Sequence, residues 1–168
     1  AEVNGTPYES ITDAISAAKA AEGSTLKLLA DVSGVIAVDG GKFTFDLNGF
    51  GINSTADTLT VINGDIIITD SSSERTGTIF GESCGMIVYG GSCTISGGTV
   101  SGTLYGMYIQ DATCEITGGI ITGGTDGVNI ISGTCKITGG TISSENYGVF
   151  IRNGSCIITG GIINGDYT

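Results

Sequence analysis

The acidic side chains and the cysteines are the residues of this sequence that could carry acid–base, nucleophilic or metal chemistry, because its 168 residues include no histidine. Three of the 17 acids, Glu82, Glu145 and Asp166, are separated by multiples of twenty-one positions. Acid–base catalysis needs groups that reach one substrate together. Whether these acids can cooperate therefore depends on the structure that this spacing builds.

The cysteines define this spacing most clearly. Four segments begin with cysteine at intervals of twenty-one positions: CTISGGTVSG, CEITGGIITG, CKITGGTISS and CIITGGIING, starting at Cys93, Cys114, Cys135 and Cys156. Apolar residues within each repeat are two positions apart, which is the periodicity of a strand. A fixed period predicts stacked copies of one unit, so we expect a parallel β-helix with three short strands per coil, about 4.8 Å between coils.

The repeat extends upstream in degraded form. The segments TLTVINGDIIITD (58–70) and VDGGKFTFDLNG (38–49) resemble the later coils, and SSSERT (71–76) reads as a loop that bulges from one coil. About six coils follow from this count. We predict that the columns represented by Cys93, Ile95, Val100, Met107 and Ile109 face the core, since side chains alternate along a strand.

The N-terminal part of the sequence has a different pattern. Apolar residues at helical spacing predict one amphipathic helix near residues 8–22, with Ser10 or Thr12 at its start and Gly23 at its end. Such a helix would cover the open end of the β-helix. We expect a capping segment at 1–25 and a β-helix at 26–168 within one domain. The chain stops partway through a coil, which suggests excision from a larger protein.

Composition argues against two classes of partner. The formal net charge is −11, whereas nucleic-acid binding depends on Lys and Arg that neutralise phosphates, and the same charge disfavours an anionic membrane surface. No apolar run approaches the roughly 20 residues that span a bilayer. We therefore expect neither nucleic-acid binding nor membrane insertion.

The opening TPYESITDAISAAKAAEGSTLKLLADV, then KFTFDLNGFGI and the GGxI coils, together resemble a known group of domains. These are right-handed parallel β-helices of the pectate-lyase-like superfamily in large secreted and surface proteins of Gram-positive, often gut-dwelling, bacteria. The resemblance covers nearly the whole chain. It implies an extracellular or cell-surface location, with neighbouring domains of the parent protein as partners. Because the fold hosts lyases, hydrolases, adhesins and spacers alike, it leaves the function open.

The four cysteines of the repeat share a column with Ile66 and Phe43, so we interpret them as small buried apolar residues. Stacked parallel Cβ atoms lie at about 4.8 Å, beyond the usual disulfide range, which favours free thiols. Zinc is the alternative, but a straight ladder of ligands cannot form a tetrahedron. Cys84 falls in another column, and we expect it near the surface.

Enzymes of that superfamily use clustered acids, either carboxylates on calcium with a basic residue nearby or a close set of aspartates. Glu82 and Glu145 would lie three coils apart, roughly 14 Å, and Glu145 and Asp166 fall in a turn. Asp126 has no acid in the same column of the neighbouring coils. We therefore expect no catalytic residue, metal or cofactor, with a polysaccharide lyase or hydrolase remnant as an alternative.

The best candidate site lies on the outward side of the third strand of each coil and in the turn just before it. Aromatic rings can stack on sugars while polar side chains bond their hydroxyls, so we predict a carbohydrate-binding, adhesive face for a polysaccharide or a host or plant glycan. Its candidate residues are Tyr89, Tyr105, Tyr108, Gln110, Asp126, Asn129, Tyr147, Phe150 and Arg152. Three alternatives remain: aromatics that only pair along the ladder, a rigid spacer without a ligand, and ice binding by a mixed Thr, Ser and Ile ladder.

Overall fold

Alternating apolar and polar residues form short strands along nearly the whole chain, since one side of each strand can then be buried and the other solvated. The structure is a computed structural model that describes residues 1–167. Strands make up 58% of the chain. The one helix among these residues is ten residues long and is neither long nor apolar enough to cross a membrane.

The elements follow one another in regular order. They are β1 (Glu2–Val3), β2 (Thr6–Pro7), α1 (Ile11–Ala20), β3 (Ser24–Lys27), β4 (Val32–Ser33), β5 (Ile36–Asp39), β6 (Lys42–Asp46), β7 (Gly51–Ser54), β8 (Leu59–Ile62), β9 (Asp65–Thr69), β10 (Thr78–Gly81), β11 (Cys84–Tyr89), β12 (Ser92–Ile95), β13 (Thr99–Gly102), β14 (Tyr105–Gln110), β15 (Ala112–Ile116), β16 (Ile120–Gly123), β17 (Asp126–Ile137), β18 (Thr141–Ser144), β19 (Tyr147–Ile158) and β20 (Ile162–Asn164).

From β3 onward the strands stack as a parallel β-solenoid with three sides. The cysteine side consists of β3, β6, β9, β12, β15 and the second halves of β17 and β19. The second side consists of β4, β7, β10, β13, β16, β18 and β20. The tyrosine side consists of β5, β8, β11, β14 and the first halves of β17 and β19. The predicted parallel β-helix is confirmed.

The stack has about seven turns of roughly 21 residues. The sequence indicated six, because the first coil, formed by β3, β4 and β5, lacks the cysteine and Gly-Gly columns of the repeat. All five columns predicted to face the core are buried in the central coils, at Cys93, Ile95, Val100, Met107 and Ile109. Equivalent residues pair in register, which places like side chains on like within the core.

The N-terminal end of the solenoid carries the helix. The hydroxyl of Ser10 accepts hydrogen bonds from the backbone N–H groups of Thr12 (3.1 Å) and Asp13 (3.4 Å), which caps the first turn. Ala14, Ile15 and Ala18 are buried in the same core as the first coils. The helix is shorter than predicted: its C-cap is Ala21, and Gly23 follows two residues later with a φ of 76°.

An additional feature at this end was not indicated by the sequence. β1 pairs antiparallel with β2 and with β3, so a small antiparallel ribbon precedes the parallel stack. β1 and β2 are only two residues long, which is too short for an alternating pattern to reveal them.

The Gly-Gly pairs form the corner between the cysteine side and the second side. Gly119 has a φ of 78°, in the left-handed region that favours glycine. A Cβ on Gly118 would lie 2.6 Å from the carbonyl oxygen of Ser96 in the preceding coil. One glycine therefore permits the turn, and the other permits close stacking of the coils.

Candidate functional site

The candidate residues of the tyrosine side lie in three columns that pass through the coils in register. The first pairs Cys84 with Tyr105, Tyr105 with Asp126 and Asp126 with Tyr147; the second pairs Ile87, Tyr108, Asn129 and Phe150 in the same order; and the third pairs Tyr89 with Gln110. The sequence prediction that these candidate residues share one side of the solenoid agrees with this register. We call the five rings Tyr89, Tyr105, Tyr108, Tyr147 and Phe150 the aromatic patch.

The rings of the aromatic patch contact one another in two groups. The centroid of Tyr108 lies 6.1 Å from that of Tyr89 and 6.1 Å from that of Tyr105. Two coils away, the centroids of Tyr147 and Phe150 are 5.4 Å apart. Such spacings are typical of favourable aromatic pairs. Part of the surface of these rings therefore contacts another ring of the patch and is not free to contact a ligand.

The exposed parts of the patch are at its two ends. Tyr89 is 39% exposed and Tyr147 is 37% exposed. Between them, the hydroxyl of Tyr108 donates to Oε1 of Gln110 at 3.1 Å, and Arg152 is exposed. Each end thus has an accessible ring, with an amide or a guanidinium group available for hydrogen bonding.

Asp126 and Asn129 differ from the rest of the predicted site because both are only 4% exposed. Asn129 alternates with core residues and faces outward, and Asp126 bonds to it. The register places Tyr105 and Tyr108 on one side of this pair and Tyr147 and Phe150 on the other. Nδ2 of Asn129 donates to Oδ2 of Asp126 at 2.5 Å. Outward orientation on a strand therefore does not make these two side chains accessible.

Burial has an electrostatic consequence for Asp126. Removal from water raises the pKa of its carboxyl group, and the hydrogen bond from Asn129 only partly opposes that effect. Oδ1 of Asn129 is buried and has no hydrogen-bond partner. The centre of the face thus holds an acid and an amide oxygen that the protein itself leaves incompletely satisfied.

Cys84 was predicted near the surface, and that prediction is wrong: it is 6% exposed. The backbone N–H of Cys84 donates to Oδ1 of Asp57 at 3.1 Å, and its thiol lies 3.7 Å from the hydroxyl of Ser83. Asp57 belongs to the four-residue turn 55–58, longer than the two-residue turn that precedes Cys84 itself. Burial beneath these groups raises the pKa of Cys84 to about 11.

The cysteine column agrees with the prediction of free, buried thiols in the central coils. Cys93, Cys114 and Cys135 are buried, Cys156 is half-buried, and all are free. Desolvation raises the pKa of Cys93 well above its usual range and that of Cys114 to about 12. The thiols of Cys93 and Cys114 are therefore protonated and apolar at neutral pH.

Residues 1–167 contain no group of three or more His, Cys, Asp or Glu that could hold an ion. Asp46 and Asp70 are buried, but backbone and hydroxyl groups of the loop 71–77 and of Asn48 and Gly49 occupy their oxygens. Their role is to hold this loop against the coils.

The sequence did not indicate a cleft of about 510 Å³ at the corner between the second and the tyrosine sides. Val35, Asn53, Phe80 and Glu82 are among the exposed side chains that line it. These residues come from coils one to three, where the repeat is degraded; Asn53 and Phe80 are register partners there, but their residue types differ. The exposed apolar residues Val35 and Phe80 were the only local signal.

Comparison with protein-family models, curated proteins and solved structures finds no significant match to this chain.

Proposed function

We propose that this chain is a non-catalytic carbohydrate-binding module of a secreted or cell-surface protein. The observation that supports it is the aromatic patch, which runs from Tyr89 in the third coil to Phe150 in the sixth with an exposed tyrosine at each end. Three coil steps correspond to roughly 14 Å. Exposed rings over that distance, beside Gln110 and Arg152, suit a short stretch of a glycan chain.

The proposal also includes the superfamily of the domain and the kind of protein that contains it. The parallel solenoid with a capping helix is compatible with a right-handed domain of the pectate-lyase-like superfamily in a bacterial surface protein. In such a protein the partners would be a polysaccharide or a host or plant glycan, and the neighbouring domains.

A glycan array tests the binding proposal with two variants. We expect the intact protein to bind at least one glycan class and the double variant Tyr89→Ala, Tyr147→Ala to lose that binding, because these are the accessible rings. Phe80→Ala is the matched control, since Phe80 is also an exposed aromatic but lies on the second side. Unchanged binding by the double variant would contradict the proposal.

A spacer without a ligand is the second candidate, and one observation favours it. The rings contact one another and cover Asp126 and Asn129, which is also what a ladder that only stabilises a rod would do. Deletion of this segment from its parent protein separates the two functions. Loss of glycan binding supports the module. A shorter distance between the neighbouring domains and the cell wall, with glycan binding intact, supports the spacer.

A further inference from the structure

Asp126 and Asn129 form a polar pair that is enclosed by aromatic rings. The first ring pair, Tyr105 and Tyr108, lies in the preceding coil, and the second, Tyr147 and Phe150, lies in the following coil. The two ring pairs are two coil steps apart, roughly 10 Å. The polar pair is therefore buried between two aromatic ring pairs along the stack.

Within residues 1–167, Asp126 forms no salt bridge. Both ion pairs found within residues 1–167, Lys42 with Asp65 and Lys136 with Glu115, lie on the cysteine side. Asn129 is the single hydrogen-bond partner of the Asp126 carboxylate in that part of the chain. A buried carboxylate without a cation is unfavourable, and the free Oδ1 of Asn129 adds an unpaired acceptor beside it.

We propose that Asp126 and Asn129 form a subsite for an ammonium group, namely that of an amino sugar within a glycan. A carboxylate and a free amide oxygen both accept from an ammonium group, which has donors but no acceptor. Aromatic faces attract a cation placed over them. The inference rests on the proposed carbohydrate binding and names the substrate class.

Two further features fit a cationic glycan. The net charge of −11 attracts cations to the molecule as a whole. Tyr147 pairs in register with Asp126 and is 37% exposed, and its ring contacts those of Phe150 and Tyr167, so it is the ring that an incoming ammonium group must displace. The ligand's ammonium group then replaces ring contact with an ion pair and hydrogen bonds.

Calorimetry with two tetrasaccharides tests the subsite. One is the fully deacetylated tetramer of glucosamine, which is cationic at about pH 6, and the other is its fully N-acetylated, neutral counterpart. We expect the cationic tetramer to bind at least about tenfold more tightly and its affinity to fall with added salt. This comparison needs no variant, so it does not depend on how a substitution folds.

The variant Asp126→Asn removes the charge at nearly constant shape and is expected to abolish the preference for the cationic tetramer. Glu22→Gln is the matched control, because it removes one negative charge at an exposed position outside the tyrosine side and should keep the preference. Equal binding of both tetramers, tighter binding of the neutral one, or a preference that survives in Asp126→Asn overturns the subsite. If the protein then still binds a neutral glycan, and the double variant Tyr89→Ala, Tyr147→Ala loses that binding, the proposed carbohydrate binding remains supported.

Discussion

Cysteine serves in this protein as a small apolar residue that completes a stacked column. Cys93 lies in register with Ile66 of the preceding coil and with Cys114 of the next, so thiol and isoleucine fill equivalent space. Burial keeps the central thiols protonated. The column therefore needs apolar volume rather than sulfur chemistry.

Substitution within this column should show that requirement. Cys114→Ser places a hydroxyl in an apolar stack and is expected to lower the free energy of unfolding by about 1–3 kcal/mol, whereas Cys114→Ala should cost less because it buries no polar group. Denaturant unfolding of both variants measures this. A serine variant as stable as the alanine variant would contradict the assignment.

Thiol labelling gives an independent measure of the same burial. We expect the half-buried Cys156 to react first with an alkylating reagent, and Cys84 to react as slowly as Cys93 and Cys114 because all three are buried. Mass spectrometry of the native protein after short exposure reports the order. Fast labelling of Cys84 would show that the turn 55–58 does not cover it.

Asp70 is the residue that links one coil to the loop 71–77. Its Oδ1 accepts from the backbone N–H of Gly49 at 2.8 Å and of Ser72 at 3.1 Å, and its Oδ2 accepts from that of Gly77 at 2.6 Å. Burial opposes ionisation of Asp70, but these hydrogen bonds outweigh it and lower its pKa. Stability from Asp70 is therefore present above the ordinary carboxyl pKa of about 4 and is lost as the pH falls through the lower folded pKa.

Asp70→Asn should thus be less stable than the natural sequence at neutral pH, by about 1–3 kcal/mol, and the difference should narrow below about pH 4. Glu74→Gln is the control, because Glu74 is exposed in the same loop. Thermal unfolding across a pH series measures both. A difference that stays constant with pH would rule out the charge of Asp70 as its cause.

At the scale of elements, the corner between the second and the tyrosine sides depends on one glycine column. A Cβ on Gly102 would overlap the carbonyl oxygen of Tyr105, and a Cβ on Gly123 would overlap that of Asp126. The same column holds Ser144 in the sixth coil, so that turn is more open. Because this corner leads directly into the aromatic patch, its glycines also position the candidate site.

Gly102→Ala is therefore expected to cost about 1–3 kcal/mol of stability, since the added methyl group must displace backbone. Ser144→Ala is the matched variant in the same column, and it should be neutral or slightly stabilising because the Ser144 hydroxyl is buried without a partner. Comparison of their melting temperatures tests the difference. Similar melting temperatures for the Gly102→Ala and Ser144→Ala variants would mean that the turns after these two residues have the same geometry.

For the whole molecule, charge restricts the glycans that the proposed face can accept. Only six Lys and Arg residues oppose 17 Asp and Glu residues, so a polyanion meets a repulsive field over most of the surface. We expect no retardation of the protein by polygalacturonate in affinity electrophoresis at low salt, where such repulsion is strongest. Retardation there would show that a local cationic site overcomes the net charge.

The sequence by itself determined the solenoid, its core columns and its capping helix. These features depend on local spacing: two positions within a strand, twenty-one positions between equivalent residues of successive coils, and a helical apolar stripe after Ser10. It also placed the candidate residues of the tyrosine side in common columns, since a strict period carries register with it. Contacts between neighbouring coils therefore leave unchanged the strands and core positions that each repeat specifies.

Only the tertiary structure decided which of these residues reach solvent. Asp126 and Asn129 are covered because rings from the coils before and after lie beside them, and Cys84 is covered because the turn 55–58 of the preceding coil is longer. The antiparallel ribbon likewise joins segments outside the repeat, and the corner cleft lies where the repeat is degraded. Exposure is a property of neighbours in space, and alternation along one strand specifies direction alone.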